Sequence, residues 1–242
     1  MRPPVLAVAF DLDGTLVDSA PDIAHALNTA LRQARLQTFD PQQVRRWIGD
    51  GPDALIGRAL AAQGDGIGPA APPAPQSTPP LAVPPAVPPA VPMAAQLRRD
   101  FDLATLADPL GHGRVFDGVA ELLRELALRL PLAVVTNKPT LLARAVLQAA
   151  GLLGLFGQVM GADLQAHRKP APAMLHELAR RLELECAGLL MVGDSPADMG
   201  AARAAGCPAA LVAWGYGHQA VTDTRGLWQV TTPAQLRAGL LA

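Results

Sequence analysis

Short apolar runs alternate with stretches of helical spacing along most of the chain. The run at 5–10 is continuously apolar, which is typical of a buried parallel strand. From residue 117 onward the pattern predicts helices at 119–130, 141–150, 171–182 and 197–205. Each helix is followed by a predicted strand, at 132–135, 158–160, 188–192 and 209–212 respectively. This order predicts an α/β fold of the doubly wound, Rossmann-like kind, with a mostly parallel sheet.

The residues between the first strand and this regular region are patterned differently. Helical spacing predicts helices near 21–35, 41–48, 53–63 and 93–106. The segment 66–92 carries no charge and holds eleven of the chain's 24 prolines. Because proline removes a backbone donor and disrupts helices, we predict extended or disordered chain there. We interpret this low-complexity segment as an inert surface insertion, and a ligand for a proline-recognising module is the alternative.

Composition narrows the classes of partner. The formal net charge is −1, so there is no electrostatic argument for binding nucleic acid or an anionic membrane. The two cysteines, Cys186 and Cys207, do not form a disulfide framework. No apolar run is long enough to span a bilayer, and the first one is too short for a secretory signal. We therefore expect a cytoplasmic monomer or homodimer whose ligand is a small molecule.

Polar residues cluster where the predicted strands end. They are Asp11 and Asp13 after the first strand, Thr136 and Asn137 after the second, Lys169 ahead of a helix, and Asp194 and Asp198 after a later strand. Ligands of doubly wound sheets bind beyond the carboxyl ends of the strands. These residues are therefore the candidates for a catalytic site.

The motifs that these residues form resemble those of the haloacid dehalogenase superfamily of phosphotransferases. They stand in that superfamily's order, with D-x-D-G-T from Asp11, T-N from Thr136, K-P from Lys169 and G-D-S-x-x-D around Asp194. The resemblance covers 5–15 and 117–212, which is most of the chain outside the insertion. One short motif alone is weak evidence, but four in order at strand ends identify the superfamily.

Phosphate monoester hydrolysis demands very large rate accelerations, and a covalent carboxyl phosphate divides the reaction into two easier steps. Asp11, at the end of a buried strand, is the expected nucleophile, and Asp13 is the expected general acid and then base. Lys169 is expected to neutralise Asp11 and the phosphoryl group. The resemblance implies that Thr136 and Asn137 contact the phosphate oxygens.

A carboxylate that attacks a phosphate dianion needs its charge screened, which implies a divalent cation. The resemblance implies Mg²⁺, held by Asp11, the main-chain carbonyl of Asp13 and Asp194. Asp198 would support the metal or its waters, although acids are also favoured in the first turn of a helix. Oxygen-only ligands suit Mg²⁺, which keeps several of its waters.

Three polar residues at these strand ends can be interpreted as local capping or turn residues. Asp18 and Ser19 follow the first motif, and we interpret both as capping or turn residues at the start of the next helix. Asn137 could likewise cap the helix that follows it, but the resemblance favours a phosphate contact.

In the resembled superfamily, a helical insertion after the first motif is a mobile cap that closes over the site and excludes water. The resemblance therefore predicts an inserted α-helical cap domain at 18–113, interrupted by the proline-rich insertion at 66–92. The catalytic core would consist of 1–17 and 114–242.

Within the superfamily the chain is most similar to phosphoglycolate phosphatases, through the segments 18–23, 47–60 and 116–119. This implies 2-phosphoglycolate as the substrate. A cap loop would present backbone amides to a small carboxylate, and an arginine on the next helix would pair with it. The expected substrate contacts are Gly49, Asp50, Gly51 and Arg58.

Other functions stay open at this point. Related enzymes act on sugar phosphates such as N-acetylmuramic acid 6-phosphate, act on pyrophosphate, or are phosphosugar mutases. Dehalogenation is disfavoured because that branch lacks the acid–base carboxylate present here as Asp13. A binding protein without activity, which docks through the proline-rich segment, is the alternative from another class. The intact set of Asp11, Asp13, Lys169 and Asp194 argues against it.

Overall fold

The computed structural model describes residues 4–64 and 91–241. The proline-rich insertion predicted at 66–92 lies outside the described residues except for Val91 and Pro92. No helix within the described ranges is long and apolar enough to cross a membrane.

The described residues contain strands β1 (Ala7–Phe10), β2 (Val17–Asp18), β3 (Arg114–Val115), β4 (Leu132–Thr136), β5 (Gln158–Gly161), β6 (Leu189–Gly193), β7 (Ala209–Val212) and β8 (Trp228–Val230). Six of them form one sheet in the order β5-β4-β1-β6-β7-β8, and every neighbouring pair in it is parallel. Four of the six, β1, β4, β6 and β7, are buried at every residue, as continuous apolar runs predict.

The helices are α1 (Ala20–Gln33), α2 (Pro41–Arg45), α3 (Pro52–Ala61), α4 (Met93–Ala107), α5 (Val119–Ala127), α6 (Thr140–Ala149), α7 (Ala173–Arg181), α8 (Pro196–Ala205) and α9 (Pro233–Leu241). Successive strand residues face opposite sides of a sheet. Val8 and Phe10 accordingly pack in one core with α5, α6 and α9, whereas Ala7 and Ala9 pack in another with α7 and α8. Helices cover both faces, and the doubly wound α/β prediction is confirmed.

The helices α1 to α4 form an insertion between β2 and β3, which pair antiparallel at its base. These helices have an apolar core of their own, and Leu142 of α6 also belongs to it. The insertion is therefore a separate helical layer that rests on α6. The predicted boundaries, with a cap at 18–113, fall within or next to the β2–β3 pair and stay a prediction.

Several elements differ from the sequence-based expectation. Helix α7 starts at Ala173, two residues later than expected, because Pro172 occupies its N-cap position. Helix α5 ends at Ala127 rather than at 130. The short strands β2, β3 and β8 were not predicted, since segments of two or three residues carry too little periodicity to recognise. The nine-residue helix α9 was not predicted either.

Candidate active site

The three central strands bring the predicted catalytic residues to one edge of the sheet. Asp11 directly follows β1, Thr136 ends β4, and Asp194 directly follows β6. Because β4, β1 and β6 are parallel neighbours, their carboxyl ends lie side by side. All three side chains are buried, with at most 7% of the residue exposed.

Lys169 is a fixed cation beside Asp11. Its Nζ lies 2.8 Å from Asp11 Oδ1, 2.5 Å from Asp198 Oδ1 and 2.7 Å from the Val135 carbonyl oxygen. Burial alone favours the neutral amine, but the two carboxylates raise the pKa of Lys169 above its ordinary value. The side chain therefore stays an ammonium and neutralises part of the charge on Asp11.

The neighbouring carboxyl groups are hard to ionise in this setting. Burial raises the pKa of Asp11 to about 7, against the lowering effect of Lys169. Burial and the charge of Asp198 raise the pKa of Asp194 to about 6, against hydrogen bonds from the Gly217 and Tyr216 N–H groups and from a hydroxyl. Three clustered carboxylates thus share one buried ammonium, which leaves an excess of negative charge.

This excess suits a metal ion. Asp11, Asp194 and Asp198 each offer a carboxylate oxygen, and these oxygens lie within 4.8 Å of one another. A buried set made only of oxygen ligands fits a hard cation such as Mg²⁺. The donor chemistry therefore agrees with the predicted metal site, to which Asp13 was expected to add its main-chain carbonyl.

Asp198, which was expected to support the metal or its waters, also hydrogen-bonds to Ser195 and Lys169. Its Oδ2 accepts hydrogen bonds from the Ser195 backbone N–H at 3.0 Å and from the Ser195 hydroxyl at 2.7 Å, in a capping box at the start of α8. Its Oδ1 accepts the Lys169 ammonium. Asp198 therefore holds the Lys169 ammonium in place and is the third carboxylate of the acidic cluster.

Asp13 has two partners, and sequence reasoning missed both as functional residues. The Lys138 Nζ lies 2.8 and 2.9 Å from the two Asp13 carboxylate oxygens, and the Ser19 hydroxyl donates to Oδ1 at 2.5 Å. Asp13 is therefore held at the mouth of the site rather than inside the acidic cluster. A usable signal for Lys138 existed, because Lys138 and Lys169 are the only two lysines among the chain's 20 basic residues.

Ser19 occupies the N-cap position of α1, as predicted, but its side chain makes no capping bond. Its φ of −93° and ψ of 1° lie outside the extended region that aims a capping oxygen at the helix. The side chain of Asp18 does not cap the helix either, and it accepts a hydrogen bond from the Tyr216 hydroxyl at 2.8 Å instead.

Tyr216 is a further residue that the sequence did not single out. Its backbone N–H and that of Gly217 donate to Asp194 Oδ2 at 2.6 and 2.9 Å. Its ring lies 4.6 Å from the Arg45 guanidinium carbon, and its hydroxyl reaches Asp18. Tyr216 thus joins the carboxylate of the core to the first helices of the insertion.

The Asn137 side chain connects two loops. Its amide nitrogen donates to the Gly49 carbonyl oxygen at 2.9 Å and to the Lys169 carbonyl oxygen at 3.1 Å, and its Oδ1 accepts the Lys169 backbone N–H at 2.7 Å. These bonds occupy the side-chain amide. The groups left to make the predicted phosphate contact are the main chain of Asn137 and the Thr136 hydroxyl. This contact stays a prediction.

The cap loop approaches the core closely at Gly51. The φ of Gly51 is +81°, and a Cβ there would lie 2.9 Å from the Asn137 carbonyl oxygen, so only glycine fits without a shift. Gly49 and Gly51 line the cavity above the strand ends, and their predicted contact with a substrate carboxylate stays a prediction.

Asp50 and Arg58 behave differently from the expectation. The Arg58 guanidinium pairs with the Asp50 carboxylate and donates to the Trp47 carbonyl oxygen at 2.6 Å. Neither residue is among those that line the cavity. The structure thus gives Arg58 a contact that holds the cap loop, and its predicted pairing with a substrate carboxylate stays untested.

The cavity lies between the strand ends and the helical insertion, and its volume is about 40 Å³. Its floor is polar, whereas its walls are mainly apolar and come from α1, α3, α4 and α6 as well as the cap loop. The lining residues are Asp11, Asp13, Ile23, Ile48, Gly49, Gly51, Pro52, Leu55, Phe101, Thr136, Asn137, Lys138, Pro139 and Leu142. A polar floor under an apolar roof fits a small, charged ligand that is shielded from water.

Comparisons with known proteins agree with this arrangement. A phosphoglycolate phosphatase of Rhodospirillum rubrum is 40% identical over 223 residues, which cover 91% of this chain and 85% of that protein. A phosphoglycolate phosphatase of Yersinia pseudotuberculosis is 35% identical over 88% of this chain and 83% of its own length. The crystal structure of a predicted phosphoglycolate phosphatase from Haemophilus somnus superposes with a TM-score of 0.78 at 30% identity and covers 96% of both chains.

The family comparison extends over most of the chain. The model of the haloacid dehalogenase-like hydrolases matches residues 8–212, which include the strand-end residues from Asp11 to Asp194 and the whole helical insertion. The relatives named above are phosphatases by name. With this match and this site, the chain belongs to the haloacid dehalogenase-like hydrolase family.

Proposed function

We propose that this protein is a Mg²⁺-dependent phosphatase that hydrolyses a small phosphate monoester through a covalent phosphate on Asp11. The observation that carries the proposal is the buried Asp11 carboxylate, 2.8 Å from the Lys169 ammonium and within an all-oxygen cluster. A carboxylate in that setting is a nucleophile whose charge is partly neutralised and whose position is fixed.

The first step forms the covalent bond. A carboxylate oxygen of Asp11 attacks phosphorus while the bond from phosphorus to the ester oxygen breaks. Asp13 gives its proton to the departing oxygen, so the product leaves with a neutral hydroxyl group rather than an alkoxide. Lys169 and the Thr136 hydroxyl stabilise the charge that develops on the phosphoryl oxygens.

The second step releases phosphate. Asp13, now a carboxylate, takes a proton from a water molecule as this water attacks the phosphorus of the Asp11 phosphate. The bond from phosphorus to the Asp11 oxygen breaks, which restores the free carboxylate and liberates inorganic phosphate. A bound Mg²⁺, held by Asp11 and Asp194 with the Asp13 carbonyl, would screen the repulsion between the carboxylate and the phosphoryl oxygens.

The helical insertion supports the second part of the proposal, that the substrate is small. Its apolar side chains roof a cavity of about 40 Å³, and the loop at Gly49 and Gly51 closes one side. Relatives 40% and 35% identical are phosphoglycolate phosphatases by name. We therefore propose 2-phosphoglycolate as the substrate. A sugar phosphate, such as N-acetylmuramic acid 6-phosphate, is the alternative substrate.

The test is phosphate release from a panel of phosphometabolites, with and without Mg²⁺. The panel contains 2-phosphoglycolate, sugar phosphates, pyrophosphate and an aryl phosphate. We expect the highest kcat/KM on 2-phosphoglycolate, loss of activity with excess chelator, and background rates for Asp11→Asn. Full turnover in chelator would overturn the metal-dependent mechanism. Preference for a sugar phosphate would overturn only the choice of substrate.

A further inference from the structure

Lys138 is a buried cation with one carboxylate partner. Its side chain is 6% exposed, and both of its ion-pair distances run to Asp13. Within residues 4–64 and 91–241, no other side chain accepts a hydrogen bond from its ammonium. Two donors to one carboxylate leave the third proton of the ammonium free for a further acceptor.

Lys138 is one of only two lysines in the chain. Eighteen of the chain's 20 basic residues are arginines, and both lysines lie buried in this site. Lys169 contacts the nucleophile, whereas Lys138 contacts the acid–base residue Asp13 on the leaving-group side. A compact ammonium fits a narrow site as a point charge, where a planar guanidinium would need more room.

The position of Lys138 in the cavity decides what it can bind. Among the described residues that line the cavity, Lys138 is the one cationic side chain. Two arginines near the cap loop are not among the lining residues. Arg58 pairs with Asp50, and Arg168 pairs with Asp53 through a terminal nitrogen, whereas the buried Nε of Arg168 makes no hydrogen bond within the part of the chain that the structure describes. A second anionic group on a substrate in this cavity would therefore meet Lys138 first.

The short distance between the ester oxygen and the carboxylate of the substrate allows Asp13 and Lys138 to contact them together. Asp13 must reach the ester oxygen to protonate it, and Lys138 Nζ lies within 2.9 Å of both Asp13 oxygens. In a phosphorylated 2-hydroxy acid, the carboxyl carbon lies only two bonds from that ester oxygen. A carboxylate so placed comes next to Lys138 while the ester oxygen stays next to Asp13.

We propose that Lys138 binds the carboxylate of the substrate and so selects phosphate monoesters that carry a carboxylate on the carbon next to the ester oxygen. This inference rests on the proposed phosphatase function and names the residue that makes it selective. Ser19, which also donates to Asp13, helps to keep the acid–base carboxylate in place while Lys138 binds the substrate as well.

The test compares two substrates of nearly equal size in wild type and variants. The substrates are 2-phosphoglycolate and 2-hydroxyethyl phosphate, in which a neutral hydroxymethyl group replaces the carboxylate. The quantity measured is the ratio of their kcat/KM values at saturating Mg²⁺. A charged hydrogen bond is worth about a 10- to 100-fold ratio, so Lys138→Met should lower the ratio by about that factor, chiefly through KM for 2-phosphoglycolate. Lys138→Arg should retain part of it.

Two matched variants separate the explanations. Arg129→Met removes an exposed cation remote from the cavity and should leave the ratio unchanged. Arg58→Met tests the rival carboxylate contact, and a collapse of the ratio in that variant with none in Lys138→Met would overturn the proposal. If Lys138→Met does not fold, Lys138→Gln is used instead. It removes the charge while its amide can still hydrogen-bond Asp13, and it should lower the ratio in the same direction by a smaller factor.

The remaining outcomes are equally decisive. If Lys138 only positions Asp13, both substrates slow by the same factor and the ratio stays constant, which overturns the proposal. A wild-type ratio near one, with both substrates turned over, overturns it as well and leaves the phosphatase function standing. Absence of turnover on every phosphate monoester would instead overturn the proposed function itself.

Discussion

Replacing Asp194 by asparagine should make the metal-free protein more stable while it destroys activity. Asp194 is 2% exposed, and burial with the nearby Asp198 raises its pKa from 3.8 to about 6. A carboxyl with a raised pKa binds its proton more tightly in the folded state. Stability is therefore lost as the pH rises from 3.8 towards 6, and the full cost is present at pH 7.5.

The magnitude follows from that shift. Each tenfold change in proton affinity is worth about 1.4 kcal/mol, so ionised Asp194 costs about 3 kcal/mol at pH 7.5. Asparagine removes the charge and keeps an oxygen for the Tyr216 and Gly217 N–H groups, and its amide can donate to the Thr15 hydroxyl. Allowing for imperfect hydrogen bonds, we expect a gain of about 1–3 kcal/mol, or a Tm higher by about 3–8 °C.

The assay is thermal unfolding of wild type and Asp194→Asn in chelator at pH 7.5 and pH 5.0, then in Mg²⁺. The gain should fall to about half at pH 5.0, where folded wild type is largely protonated at this site. Mg²⁺ should raise the Tm of wild type and not that of the variant, because binding to the native state stabilises it. Asp117→Asn, whose side chain is 89% exposed, is the control and should change stability by less than about 0.5 kcal/mol.

Two results would refute this reasoning. One is a metal-free variant no more stable than wild type at pH 7.5. The other is a gain that is equal at both pH values, which would mean that something other than the charge of Asp194 is responsible.

Further predictions concern the chemistry and the contact between insertion and core. Asp11→Asn should form no phosphoenzyme, whereas Asp13→Asn should accumulate phosphate on Asp11 when the substrate is an aryl phosphate. Acid-quenched mass spectrometry detects this adduct, and an adduct on Asp13 would reverse the two roles. Asp53→Asn removes the charge that pairs with Arg168 at 2.8 Å, and because Arg168 precedes Lys169 it should raise KM about two- to fivefold with little change in kcat. The exposed Asp117→Asn is the control and should leave KM unchanged. Calcium should inhibit turnover competitively with Mg²⁺, because its larger, looser coordination misplaces the nucleophile, and activation by calcium would contradict this.

The sequence by itself determined the fold class and the catalytic floor. Continuous apolar runs mark buried parallel strands, and the carboxyl ends of neighbouring parallel strands meet at one edge. Asp11, Thr136 and Asp194 were therefore expected at one edge of the sheet, and the motif resemblance indicated that they form one site. This part of the prediction depended on local patterns and on one general rule of sheet topology.

Tertiary structure alone decided which side chains pair with which. Lys138 meets Asp13 across 125 positions of the chain, and Tyr216 meets Asp18 across 198. The path of each loop sets these contacts, and no periodicity in the sequence encodes that path. For the same reason Ser19 became a partner of Asp13 instead of a helix cap, and Arg58 turned to Asp50 on its own side of the cap loop. A local pattern specifies the face on which a side chain lies, whereas its partner depends on segments that only folding brings together.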